Sequence, residues 1–337
     1  MSRRSARSVL ATVAVTAACL TASGPASAAS PAAGNCSPSV SVTGYSDALD
    51  KTTYDGTFVG NISALATDRG GRLAALSDRS SLFALDGRTL APRSVAPLAD
   101  EKGAALDSEG LVVDRDGTYL VTSETEPSIR RYDRSGARVL DRLPVPAALQ
   151  DRARTNASFE GLTLLPGGRT ILASMESPLT GDEANRLQTW QRTRAGSFAP
   201  AAQYGYRTDP DLGISEVTAA PDGRLLVLER GFTSGVGNTI RLYAAELRGA
   251  TDTSGMETIG AGTRLAHKTL LADLANCPSL GAPAHQPQPN PLLDNIEAMA
   301  VTGRGPHGAL RLLLASDDNQ SANQITRFYS LRIVTAG

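Results

Sequence analysis

The sequence predicts an all-β protein, a β-propeller of five or six blades, on three observations. First, a segment of one pattern recurs five times: Asn61-Ile62-Ser63-Ala64-Leu65, Asp107-Ser108-Glu109-Gly110-Leu111, Ser158-Phe159-Glu160-Gly161-Leu162, Ile214-Ser215-Glu216-Val217-Thr218 and Asn295-Ile296-Glu297-Ala298-Met299. Second, two short apolar stretches follow each anchor, usually separated by Gly, Asp or Pro of the hairpin kind, as at Asp68–Gly71, Asp114–Gly117, Pro166–Gly168 and Pro221–Gly223. Third, the anchors Ser63, Glu109, Glu160, Glu216 and Glu297 stand 46, 51, 56 and 81 residues apart. Periods of about 40–50 residues holding several short strands mark propellers. A solenoid shares the periodicity, but long, uneven spacings and meander-like repeats favour radial closure.

In chain order, the first element is a leader. Arg3, Arg4 and Arg7 precede an apolar run from Val9 to Leu20, and Ala26-Ser27-Ala28 ends it with small residues. This is the secretory signal pattern, too short for a permanent span, so residues 1–28 are read as cleaved and residues 29–337 as one exported domain. Cys19 after Thr16-Ala17-Ala18 leaves lipidation as the alternative. Export brings an oxidising compartment, in which Cys36 and Cys277 are expected to pair, with two separate buried thiols as the alternative.

Each repeat then supplies a first strand at its anchor, a second strand (Leu73–Leu76, Tyr119–Thr122, Thr170–Ala173, Leu225–Leu228, Leu312–Ala315) and a third (Ser81–Asp86, Ile129–Asp133, Leu187–Trp190, Ile240–Tyr243, Ile325–Tyr329). Pro144 to Arg154 is the one short helix expected. The wide last spacing is assigned to an inserted Pro-rich loop around 275–292, or to a degenerate sixth blade. With aromatic residues at 4% of the chain, Leu, Val and Ala are expected to fill the interfaces between blades.

Without the leader, 30 basic side chains face 34 acidic ones. The chain has no basic stripe for nucleic acid and no further apolar run for a membrane, and a monomer acting on a small molecule is expected. Its acids are placed by the repeat. Glu109, Glu160, Glu216 and Glu297 start the first strand of their blades, the strand that lines a propeller's channel. Four like charges converging there require raised pKa values or a cation, and oxygen donors without His or Cys select calcium. A second row, Asp78, Glu124, Glu176, Glu229 and Asp317, ends the second strands and reaches the same face further out. Arg79 and Arg230 follow two of its members.

Other motifs carry less. His267, His285 and His307 fall outside the repeated strands, and no Gly-x-Ser-x-Gly elbow supports a Ser–His–Asp triad. Gly303–Gly308 matches a dinucleotide glycine pattern by letter, yet it contains Pro306 and opens no helix, so it reads as a loop. Asp114-Arg115-Asp116-Gly117 lacks the later ligands of a calcium loop and reads as a turn.

Six of these pieces in order, Asp107–Leu111, Asn156–Leu162, Gly213–Glu216, Leu228–Arg230, Asn295–Met299 and Ser316–Asn319, resemble the phytase-like secreted propellers, a family labelled "esterase-like activity of phytase". The resemblance covers about residues 40–333. It implies a propeller fold, export and hydrolysis of ester or phosphoester substrates. Joined to the acidic ring, it leads to a calcium-dependent hydrolase with metal ligands Glu109, Glu160, Glu216 and Glu297. Glu160 and Glu216 would take part in catalysis, Glu216 as general base, and Arg79 and Arg230 would stabilise developing negative charge. The competing reading is a binding module with a structural calcium, and a metal-dependent sugar lactonase shares the same geometry.

Overall fold

The computed structural model describes residues 34–68 and 70–334, so the leader and Cys19 lie outside the described residues. The chain enters through β1 (Gly34–Asn35) and β2 (Val40–Ser46), followed by a small hairpin of β3 (Thr52–Tyr54) and β4 (Thr57–Val59). Four antiparallel meanders of four strands come next. Blade I is β5 (Ile62–Thr67), β6 (Leu73–Ser77), β7 (Ser81–Leu85) and β8 (Pro92–Pro97). Blade II is β9 (Ser108–Val113), β10 (Tyr119–Ser123), β11 (Ser128–Tyr132) and β12 (Val139–Arg142). After helix α1 (Ala147–Asp151), blade III comprises β13 (Phe159–Leu164), β14 (Thr170–Met175), β15 (Asn185–Arg192) and β16 (Phe198–Tyr206). Blade IV follows as β17 (Gly213–Ala219), β18 (Leu225–Thr233), β19 (Gly237–Glu246) and β20 (His267–Asp273).

Blade V is built from both ends of the chain. β21 (Ile296–Arg304), β22 (Leu310–Ser316) and β23 (Phe328–Ile333) form its inner three strands, and β2 pairs with β23 from Val40↔Ile333 to Ser46↔Phe328 as the fourth. The innermost strands β5, β9, β13, β17 and β21 pack side by side in a closed cycle, β21 returning to β5. The propeller therefore has five blades. The wide last spacing has two sources rather than one: residues 247–266 connect β19 to β20 and pack on blade III, where Ile259 donates to Asp182 Oδ1 at 3.0 Å, and the Pro-rich connection beyond Leu274 forms no strand.

Each interface between blades has its own apolar wedge. Ala64, Leu76 and Leu82 meet Leu111, Val121 and Tyr132 between blades I and II. Phe159 and Trp190 fill the next wedge edge to face, ring centroids 5.8 Å apart at 70°. Tyr206 and Tyr243 belong to the III–IV wedge, Tyr329 to IV–V, and Phe83 with Phe328 to V–I. Leu, Val and Ala supply most of this packing as expected, but the scarce aromatics are concentrated here as well.

Turn chemistry follows the pattern. Gly117 and Gly223 close first hairpins with φ of 83° and 92°, conformations that a side chain resists. Cys36 and Cys277 form a disulfide. Cys277 follows the 3₁₀ turn Leu274–Asn276 as the chain leaves blade IV, so the bond ties the β1–β2 segment of blade V to blade IV. Among the described residues no helix is long and apolar enough to cross a membrane.

Candidate functional site

The five blades can be aligned by their hydrogen bonds. The residue after β6, β10, β14 and β22 donates its N–H to the carbonyl at the entry of the paired inner strand: Asp78 to Asn61, Glu124 to Asp107, Glu176 to Ser158 and Asp317 to Asn295, at 2.8–3.0 Å. In blade IV the matching pair is Arg230 and Gly213. One register position inward lies an apolar or small anchor, Ile62, Ser108, Phe159, Ile214 or Ile296. The next position forms the ring around the channel: Ser63, Glu109, Glu160, Ser215 and Glu297. The outer row is Asp78, Glu124, Glu176, Arg230 and Asp317.

Glu216 and Glu229 therefore sit one residue out of phase with the rows assigned from sequence. A one-residue slip turns a strand side chain to the opposite side, and neither residue lines the acidic cavity. Glu216 matches Ala64, Gly110, Gly161 and Ala298 in the other blades. Those small residues leave room for one large side chain on the axis: a Cβ on Gly161 would lie 2.7 Å from Glu216 Oε1 and 2.4 Å from Val217 N. Glu216 Oε1 accepts the Val217 N–H at 2.8 Å. Burial pushes its carboxyl well above the usual range, while N–H groups of Val217, Leu162 and Met299 work against the shift. Glu229 accepts from Tyr206 Oη at 2.7 Å, Asp209 N at 2.8 Å and Lys268 Nζ at 2.6 Å, which makes it a brace between blade IV and the end of blade III. Aligning the repeats on the apolar residues Ile62, Phe159, Ile214 and Ile296 instead of on Glu would have revealed both shifts.

The remaining acids meet in one cavity of about 590 Å³ at the mouth of the channel. Its carboxylates are Glu109, Glu160 and Glu297 of the ring, Asp78, Glu124, Glu176 and Asp317 of the outer row, and Asp107 at the entry of β9. Asp107, which opens the Asp107–Leu111 motif, joins them although its position before the strand gives no ligand signal of its own. Arg79 and Arg230 line the same space, together with Phe232 and Asn238 from the long β18–β19 hairpin. None of the three histidines does.

Burial dominates the electrostatics. It drives Glu109 and Glu160 well above the ordinary carboxyl range, and neighbouring acids add to the shift, led by Glu297 for Glu109 and by Glu109 for Glu160. Burial, then Glu176 and Asp107, lifts Glu124 to about 7. Burial and Glu297 lift Asp317 to about 8, and burial lifts Asp78 to about 6 against the pull of Arg79. Glu297 is also raised by burial, but it is restrained by the Arg230 guanidinium at 3.1 Å and by the Asn295 amide donating at 3.0 Å. Arg230 Nη1 donates to Asn295 Oδ1 at 2.9 Å, so the single cation of the outer row is built into the wall. The Arg79 side chain is 65% exposed at the rim and pairs with Asp78 at 3.6 Å.

These residues fit a hard cation. Glu109 and Glu160 are more than nine-tenths buried, and their carboxylates, which accept no hydrogen bond among the described residues, open onto the cavity. Buried charge without a partner is costly unless a cation or proton supplies one. One oxygen each from Asp107, Glu109 and Glu124 lie within 4.8 Å of one another, and the same holds for Glu124, Glu160 and Glu176. Carboxylate oxygens suit calcium or magnesium rather than zinc or copper.

A family model described as "Phytase-like: Esterase-like activity of phytase" matches residues 57–320. The chain belongs to the phytase-like family. No curated protein sequence matches this phytase-like chain significantly. Among solved structures it is similar to a proposed gluconolactonase (15% identity, covering 80% of this chain and 73% of that one, TM-score 0.41). Another is glutaminyl cyclase of Myxococcus xanthus (11% identity, 82% and 92% covered, TM-score 0.43). A third is a Bacteroides caccae protein of unknown function (12% identity, 74% and 68% covered, TM-score 0.35).

Proposed function

We propose that this phytase-like propeller is an exported, calcium-dependent hydrolase of small ester or phosphoester substrates, with its active site in the acidic mouth. The observation that carries this reading is the set of buried, donor-free carboxylates converging from separate blades, with two arginines on the same cavity wall. Bound calcium would supply Lewis acidity toward a phosphoryl or carbonyl oxygen. Glu109 and Glu160 of the ring, with Asp107, Glu124 and Glu176, would hold it. Glu297, tied to Arg230 and Asn295, keeps that guanidinium aimed into the cavity, where it would stabilise negative charge developing on the substrate. Arg79, exposed at the rim, would contact the anionic group on entry.

Proton handling falls to Asp317 in place of Glu216. Asp317 lies in the cavity wall, its Oδ1 accepts Asn319 N–H at 2.7 Å, and burial with Glu297 raises its pKa to about 8 in the metal-free chain, from which bound calcium would bring it down toward neutral pH. Hydrolysis of phosphate and carboxyl esters, assayed with calcium and then with EDTA, tests the proposal. Asp317→Asn is expected to lower kcat by roughly 10²–10⁴-fold while calcium still raises the melting temperature. Absence of turnover across both ester classes would favour the second reading, a calcium-stabilised binding module. That reading draws on Phe232, 56% exposed at the cavity rim.

A further inference from the structure

Resting on the metal-dependent reading above, we propose that the mouth holds two calcium ions, not one, and that Glu124 bridges them. The two oxygen clusters, Asp107–Glu109–Glu124 and Glu124–Glu160–Glu176, share one member. The first belongs wholly to blade II, and the other two acids of the second belong to blade III. Glu124 is fixed at the seam. Its N–H donates to Asp107 O at 2.9 Å within blade II. From blade III, Ser158 donates its N–H to Glu124 Oε1 at 3.3 Å and its hydroxyl to Glu124 O at 2.9 Å. A carboxylate has two oxygens with about four lone-pair sites, so one Glu clamped between two clusters can serve an ion on each side.

Two further observations point to ligands in this space. Glu109 and Glu160, one per cluster, are the buried carboxylates that receive no hydrogen bond among the described residues. Asn238 lines the same cavity at 1% exposure, and both polar atoms of its amide lack a partner. Eight acidic side chains face two guanidiniums across the cavity, an excess of acid that bound divalent ions would offset. Calcium takes six to eight oxygens, so three protein carboxylates per ion leave positions open toward the cavity for a substrate oxygen or water.

Calcium stoichiometry of the folded, full-length protein decides the matter, measured by equilibrium dialysis and calorimetric titration after EDTA treatment. The wild type is expected to bind two ions per chain. Asp107→Asn and Glu176→Gln should each lose a different single ion and keep the other, and Glu124→Gln should weaken both by at least tenfold. One ion in the wild type, or a Glu124→Gln variant that keeps one site at full affinity, overturns the bridge. Should Glu124→Gln fail to fold, the Asp107→Asn and Glu176→Gln pair carries the test. Their double variant must then bind no calcium in the mouth, and a retained ion overturns the proposal. One bound ion with calcium-dependent turnover removes only the bridge, whereas no bound ion in the wild type removes the metal-dependent hydrolase with it.

Discussion

At the scale of the residue, two glutamates in the same strand pattern have different work because they sit one position apart. Glu160 opens onto the acidic mouth, while Glu216 fills the axis and accepts a backbone N–H. Glu216→Gln keeps an acceptor of the same shape and should melt close to wild type. Glu216→Ala removes the acceptor and leaves a void, and should cost roughly 2–4 kcal/mol in chemical denaturation without changing calcium binding; lost calcium binding with stability intact would return Glu216 to the ligand set. The mouth also sets a pH dependence. Asp78, Glu124 and Asp317 have pKa values of about 6, 7 and 8 against ordinary values of 3.8, 4.5 and 3.8. Above pH 5 the folded, metal-free chain thus holds more protons than the unfolded one, and its stability must fall as pH rises through about 8. Acids with lowered values, such as Asp209 at about 2, have finished titrating below that window. Melting temperatures in EDTA from pH 5 to 8.5 check this, and the gain on adding calcium should widen over the same interval. A flat or rising metal-free profile would contradict the assignment.

At the scale of the element, the blade is a register device. The ring glutamates of blades II and III are each followed by glycine because the inner strands approach closely there: a Cβ on Gly110 would meet Glu160 O at 2.4 Å. Gly110→Val is therefore expected to destabilise by about 1–3 kcal/mol or more and to weaken calcium binding by displacing Glu160. Unchanged binding in a folded Gly110→Val protein would show the strands can part without moving the site. Most strands were legible because turn residues punctuate them and apolar runs fill them. The ring positions of Glu109, Glu160 and Glu297 were legible because their neighbours repeat. Blade IV departs from the expected register because Ser215-Glu216 imitates Ser108-Glu109 by letter, and the pairing of Ile214 with Glu229 makes the slip plain. Asn238 left no local signal at all, since it reaches the cavity only through the length of the β18–β19 hairpin.

At the scale of the whole molecule, stability rests on five separate wedges and a closed ring rather than on one central core. Closure depends on β2 and on the Cys36–Cys277 bond, which spans 241 residues of sequence. A cross-link over a loop of that length stabilises by up to roughly 5 kcal/mol, mainly by restricting the unfolded chain. The Cys36→Ser/Cys277→Ser double variant should lose a large part of that in a denaturant titration, and an unchanged midpoint would show that strand pairing alone secures the ring. The pairing of β2 with β23 also sets a schedule for the chain's making. A ribosome finishes blades I to IV long before it reaches Phe328, so β2, paired only with the two residues of β1, must wait for the strand at the end. A product cut short by a dozen residues would keep all eight acids of the mouth and still be an open arc, with an unsatisfied sheet edge in place of a circle.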